Sequence, residues 1–254
     1  IDMLIRRADI ALYAAKKNGR NGYSWFESGM EVELRSRNSL EGDIRAAIPN
    51  DEFVPFFEQQ IDLASGELVG FEMLARWVSP VRGLISPDDF IPIAEETGMI
   101  GDLSLSIIRK AKIKKKNWDP KLTISVNISP VQLKDPWLAQ KIVKLLVETG
   151  FPASRLEVEI TESSLFKNLS LAQSIVGSLK NQGIRIALDD FGTGYSSLAH
   201  LRALPFDRIK IDRSFVSSMF ENAESAAIVS AIAGLGASLD VPITAEGIEN
   251  EESI

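Results

Sequence analysis

Five short apolar runs between residues 122 and 246, each carrying an isolated charged or amide side chain near its end, constrain the fold of this chain most. They are Leu122–Asn127, Leu156–Thr161, Ile184–Asp190, Arg208–Asp212 and Pro242–Glu246, and stretches of helical periodicity separate them. Asp135-Pro136, Ser170 and Asn222 mark helix starts between them, and Gly150 and Gly183 mark stops. Strand, helix, strand in repetition predicts a parallel sheet covered by helices. Upstream, Phe53–Leu63 and Leu68–Val78 are extended runs joined by Ala64-Ser65-Gly66, a hairpin signal. Seven strands over about two hundred residues fit a modified (β/α)8, TIM-like α/β barrel better than a short doubly wound sheet. The hairpin gives that barrel one antiparallel strand, and on this reading the chain stops before the eighth.

The flanking pieces read differently. Asp2 to about Asn18 predicts a helix that Gly19 stops, with Gly22–Phe26 as a candidate strand. One helix and one strand cannot enclose a core, so this piece reads as the tail of a preceding domain. Met30, Leu34, Leu40, Ile44 and Ile48 recur among charges and predict a linker helix. Ser86-Pro87-Asp88-Asp89 caps another helix, and Lys110–Lys116 reads as the solvated end of the next.

Composition narrows the chemistry. The 254 residues contain no cysteine and a single histidine, His200, so acid–base or metal chemistry must lean on carboxylates, Asn and Lys. His200 has no nucleophile partner in a recognisable motif and reads as structural. A net charge of −7 argues against a surface for polymeric nucleic acid, though not against a small anion held through cations. No apolar run suits a bilayer and no signal peptide opens the chain, so a reducing, cytoplasmic setting without membrane contact from this segment is expected.

The polar residues of the strands are Glu72, Asn127, Glu159, Glu162, Asp189, Asp190, Lys210 and Glu246. Barrel strands are buried on both faces, so each isolated charge is costly unless paired or bound to a metal. At the C-terminal ends of consecutive parallel strands these residues converge on one mouth, where barrel enzymes keep their sites. Ligands that are all oxygen favour Mg²⁺ or Mn²⁺, and adjacent Asp189 and Asp190 suit two neighbouring ions. Such sites typically hydrolyse phosphate esters, with Lys210 orienting water or neutralising phosphate. The plainer alternative is a buried salt-bridge network.

The same residues closely resemble the EAL family of cyclic di-GMP phosphodiesterases. The signature reads Glu72-Met73-Leu74-Ala75-Arg76-Trp77, with Met where the family usually has Ala; alternation turns Met73 to the helices and Glu72 and Leu74 to the lumen. Ser125-Val126-Asn127-Ile128-Ser129, Glu159-Ile160-Thr161-Glu162, Asp189-Asp190-Phe191-Gly192-Thr193-Gly194-Tyr195-Ser196-Ser197-Leu198, Lys210-Ile211-Asp212 and Ala245-Glu246-Gly247 follow in order. The resemblance implies one ion on Glu72, Asn127, Glu159 and Asp189. It implies a second bridged by Asp189 and held by Asp190 and Glu246. Lys210, Glu72, Asp190 and Glu246 would form the catalytic set, with Lys210 on the attacking water. Arg76, Leu74 and Glu58 would contact substrate, and Glu162 would pin the loop Phe191–Ser197.

The implied function is hydrolysis of cyclic di-GMP to linear pGpG by a cytoplasmic homodimer; the alternatives are a cyclic di-GMP sensor without turnover, or another barrel chemistry such as enolisation. Residues 1–27 resemble the end of a GGDEF domain, with Lys16 and Arg20 at phosphate-contacting positions. Residues 28–50 would be the linker and 51–254 the EAL domain without its C-terminal end. Two departures stand out. Glu58 occupies the usual Gln position of the first strand, where an acceptor-only anion replaces a donor. The expected final strand is the other.

Overall fold

The computed structural model describes residues 1–17, 21–113, 118–165, 169–193 and 204–248. Helices α1 (Asp2–Lys17) and α2 (Ser28–Ala47) precede a hairpin of β1 (Phe53–Ile61) and β2 (Leu68–Ser79). The short strand β3 (Gly83–Ile85) folds back on β2, and α3 (Pro87–Glu96) and α4 (Ile100–Ile113) follow. Then come β4 (Thr123–Ile128), α5 (Leu138–Thr149), β5 (Leu156–Thr161), α6 (Glu162–Leu165), α7 (Leu169–Lys180) and β6 (Arg185–Phe191). Beyond residue 203 lie β7 (Arg208–Ile211), α8 (Arg213–Ser218), α9 (Ala223–Leu239) and β8 (Ile243–Ala245).

The strands form one curled sheet in the order β1-β2-β4-β5-β6-β7-β8, with β3 on the side of β2. β1 runs antiparallel to β2, and every later pairing along that path is parallel. The hairpin turn is built as its residues require. Ser65 N–H and Oγ both donate to Asp62 Oδ1 at 2.8 Å, and Gly66 takes the left-handed conformation at φ 70°.

Alternation sorts the side chains. Ile124, Val126, Val158, Ile160, Ile186, Leu188, Ile209 and Ile211 face the helices and join Ile142, Leu146, Ile175 and Leu179 in one core. Phe53, Trp77 and Phe90, all fully buried, close the hairpin end, with ring centroids 5.1–6.0 Å apart. Met73 faces outward as expected and lines a void of about 20 Å³ with Ile108, Ala111, Ile124, Val126 and Leu146. Met73→Ala would enlarge that void and is expected to cost about 2–4 kcal/mol in urea unfolding.

Caps follow the sequence. Ser86 Oγ accepts from Asp88 N–H at 3.3 Å and Asn222 Oδ1 from Glu224 N–H at 2.9 Å. Gly150 ends α5 at φ 59°. Two expectations fail. Gly22–Phe26 has no strand, since no partner segment is adjacent in the described residues to take its hydrogen bonds. Lys110 is not a solvated helix end: its Nζ donates to Phe53 O at 2.7 Å and pairs with Asp51 Oδ1 at 2.9 Å, tying α4 to the start of β1. Strand β3 carries no turn-flanked run long enough to flag it. Helix α2, expected as a linker, packs on the sheet domain, with Ile44 and Ala47 fully buried in its core. Among the described residues, no helix is long and apolar enough to cross a membrane.

Candidate active site

The lumen-facing residues at the C-terminal ends of the parallel strands gather around one ammonium. Lys210, on β7, is 1% exposed, and its Nζ lies 2.6 Å from Glu246, 2.7 Å from Glu159, 3.0 Å from Glu72 and 3.4 Å from Asp189. Each partner comes from a different strand: Glu72 from within β2, Glu159 from β5, Asp189 from β6 and Glu246 from the residue after β8. Asn127 completes the group from β4, donating through Nδ2 to Glu72 Oε1 at 2.7 Å. The convergence follows from register, since Asn127 pairs with Glu159 and Thr161 with Asp189 across neighbouring strands.

Asp190 needs a special device. Simple alternation would send it to the helix side, opposite Asp189. Instead the β6–β7 pairing slips between Leu188 and Phe191, and Asp190 adopts a left-handed backbone at φ 55°. That conformation costs free energy in a non-glycine residue and clusters at functional sites. It brings the Asp190 carboxylate beside Asp189 and Asp212, while Asp190 N–H donates to Asp189 Oδ1 at 2.9 Å. Asp212, which follows β7 and caps α8, was quoted in the motif above without a role; its place two residues after Lys210 was the available signal. The sequence likewise left Glu157 and Arg208 unassigned, although alternation sets them on the same face as Glu159 and Lys210.

The electrostatics fit a cluster built for cations. Burial pushes the Glu159, Asp189 and Asp190 carboxyls up, and like charges add to this. Glu246 is pushed up to about 7, chiefly by burial. Burial opposes charge on Lys210 too, but attraction to Glu159, Glu72, Asp189 and Glu246 outweighs it and holds the ammonium protonated. Among the described residues, no three carboxylates sit close enough together to hold an ion as they stand; Lys210 lies between them. One atom has no such partner: Glu159 Oε1 is buried with no hydrogen bond. An orphaned carboxylate oxygen in this setting fits a metal ligand.

A pH dependence follows. Glu246 has a folded pKa near 7 against an ordinary 4.5, so the native state binds the extra proton. Its contribution to stability is present below about pH 4.5 and is lost as pH rises towards 7. The cation-free protein is therefore expected to lose melting temperature from pH 5 to 7.5.

The expected substrate contacts lie on the adjoining hairpin. Glu58 sits directly across from Glu72 in the hairpin, Leu74 across from Phe56 and Arg76 across from Val54. Arg76 lies over the half-exposed Phe56 ring at 5.5 Å and donates to Ala75 O at 2.9 Å. Gln59 takes the opposite face from Glu58, whereas Gln60 shares its face lower in the lumen and donates to Ser125 Oγ at 3.3 Å. Glu162, buried at the start of α6, accepts from Gly192 N–H through Oε2 at 3.4 Å. The rest of that loop from Gly194, together with His200 and Arg20, lies outside the described residues.

Comparison with known proteins agrees with this geometry. The sequence profile of the family described as EAL domain matches residues 41–254. An uncharacterized signaling protein of Caulobacter vibrioides is 46% identical over all of this chain and 31% of its own length. The bifunctional diguanylate cyclase/cyclic di-GMP phosphodiesterase MucR of Pseudomonas aeruginosa is 36% identical over 98% of this chain and 37% of its own. The chain thus spans about a third of the length of these curated relatives. A solved structure of the PaMucR phosphodiesterase in complex with c-di-GMP superposes with a TM-score of 0.79 at 34% identity, covering 85% of this chain and 89% of that one.

Proposed function

This chain belongs to the EAL domain family, and we propose that it is the catalytic part of a divalent-cation-dependent phosphodiesterase that hydrolyses cyclic di-GMP to linear pGpG. The observation that carries the reading is the Lys210 hub: carboxylates from separate strand ends, one with an orphaned oxygen, meeting at a barrel mouth. Glu72, Asn127, Glu159 and Asp189 would hold one Mg²⁺ or Mn²⁺, and Asp189, Asp190 and Glu246, with Asp212 beside them, a second. Bound there, such ions activate water and neutralise phosphate oxygens.

The residues of the chain supply position and charge. Lys210, released from part of its carboxylate cage, donates to the attacking water and faces the phosphate. Water adds to phosphorus in line, the bond to one ribose 3′ oxygen breaks, and that oxygen takes up a proton from solvent as the attacking water gives one up. Asp190, turned out of alternation by its left-handed backbone, and Glu246, paired with Lys210, would take the proton of the water. Arg76 pairs with a substrate phosphate from the wall, while Leu74 and Phe56 offer apolar surface to the bases. Glu58 beside Glu72 adds negative charge near the ligand and weakens ground-state binding relative to Gln.

Residues 1–27 as the end of a GGDEF domain, α2 as its linker, and a homodimer through the barrel belong to the same proposal. The test is product analysis of the full-length protein carrying this chain with cyclic di-GMP, with and without Mn²⁺. Mn²⁺-dependent pGpG is expected. Tight binding of cyclic di-GMP with no pGpG at any Mn²⁺ concentration would replace this reading with a sensor.

A further inference from the structure

Beneath the ligand ring the strands carry a second ring of polar side chains that none of the roles above uses. Gln60 Nε2 donates to Ser125 Oγ at 3.3 Å, and Ser125 Oγ donates to Glu157 Oε1 at 3.0 Å. Arg208 Nε donates to Glu157 Oε2 at 3.2 Å, and its Nη1 donates to Thr244 Oγ1 at 2.9 Å. The bonds run from β1 through β4, β5 and β7 to β8, stepping over β2 and β6.

The two skipped strands carry the smallest residues at this level. Gly70 pairs with Gln60, and a Cβ on it would meet Thr123 Oγ1 at 2.4 Å and Gln60 Oε1 at 3.1 Å. Ala187 pairs with Arg208 and leaves room for the Arg208–Glu157 bond above it.

Four members of this ring sit two residues before a member of the ring above, on the same face of their strands, and the fifth sits two residues from the expected substrate contact Glu58. Ser125 precedes Asn127, Glu157 precedes Glu159, Arg208 precedes Lys210 and Thr244 precedes Glu246; Gln60 follows Glu58 on the antiparallel strand. Glu157 is 1% exposed, and an ion pair so buried returns little net stability for its desolvation. What such a pair fixes well is register. The need is greatest at β8, which is only three residues long.

We propose that Glu157, Arg208 and Thr244 are positioning residues that hold Lys210 and Glu246 at the height where cations bind; this rests on the cation-dependent reading above. Arg208 fastens β8 through Thr244 and is itself aimed by Glu157. The ring therefore acts on cation affinity more than on folding, as partners behind metal ligands do.

The discriminating pair is Thr244→Val, which keeps shape and removes the acceptor, and Thr244→Ser, which keeps the acceptor. Mn²⁺ is titrated calorimetrically into the full-length protein and both variants, with Glu72→Ala defining binding elsewhere. Thr244→Val is expected to weaken Glu72-dependent Mn²⁺ binding by about ten- to a hundredfold while the cation-free melting temperature stays near wild type, and Thr244→Ser to bind as wild type. Unchanged affinity in Thr244→Val, or equal losses in both variants, overturns the positioning role. Absence of Glu72-dependent binding in the wild type overturns the cation reading and this inference with it.

Discussion

Glu72→Ala is expected to lower pGpG formation by at least a hundredfold to about a thousandfold, the loss that follows removal of one group stabilising the transition state. Glu72 accepts from both Asn127 and Lys210, so its removal takes a proposed ligand and frees two donors at once. Both are cheap to leave. Asn127 is exposed to the lumen and can turn to water, and Lys210 keeps Glu159, Asp189 and Glu246. The fold should survive, and a melting curve within a few degrees of wild type, measured beside the activity, separates lost chemistry from lost structure. Retained activity would remove Glu72 from the ligand set.

Lys210→Met should do the opposite, acting first on the fold. Without the ammonium, Glu72, Glu159, Asp189 and Glu246 face one another with no counter-charge, all four at least three-quarters buried. Breaking a buried ion network by removing one partner costs about 3–5 kcal/mol. The loss should be largest near pH 8 and smaller near pH 5.5, where Glu246 takes up a proton instead. Mn²⁺ should restore much of the lost melting temperature by supplying the missing charge, without restoring turnover. A variant as stable as wild type without cations at pH 8 would show that Lys210 is not the electrostatic centre of the cluster.

Much of this arrangement is legible from period-two alternation alone. A charge inside an apolar run, such as Glu72 after Phe71 or Lys210 between Ile209 and Ile211, has to face either the helices or the lumen. The apolar neighbours claim the helix side. Parallel strands then put successive lumen residues at one end, so the cluster of Glu72, Glu159, Asp189, Lys210 and Glu246 follows from pattern.

Alternation fails where the backbone departs from it. Asp190 reaches the mouth only through the slipped β6–β7 pairing and its left-handed conformation, which no composition cue announces. The second ring was missed for a different reason: Glu157 and Arg208 are polar at positions where polarity also suits a strand margin, and only the distance across β6 reveals their bond. Lys110 deceived because a lysine run at a helix end normally lies in solvent, whereas here one member folds back onto Phe53 O. The strand expected at Gly22–Phe26 has suitable residues but no neighbour among the described segments, and strand propensity is realised only by pairing.

The most direct measurement is anomalous diffraction at the manganese edge from crystals of the full-length protein soaked with Mn²⁺ at pH 8. The account predicts strong peaks among Glu72, Asn127, Glu159 and Asp189 and beside Asp190, with Glu159 Oε1 now ligated and Lys210 Nζ drawn away from part of its cage. Saturating Mn²⁺ with no peak there, and Lys210 still bound to Glu72, Glu159, Asp189 and Glu246, would mean that the strand ends form a salt-bridge network and not a cation site.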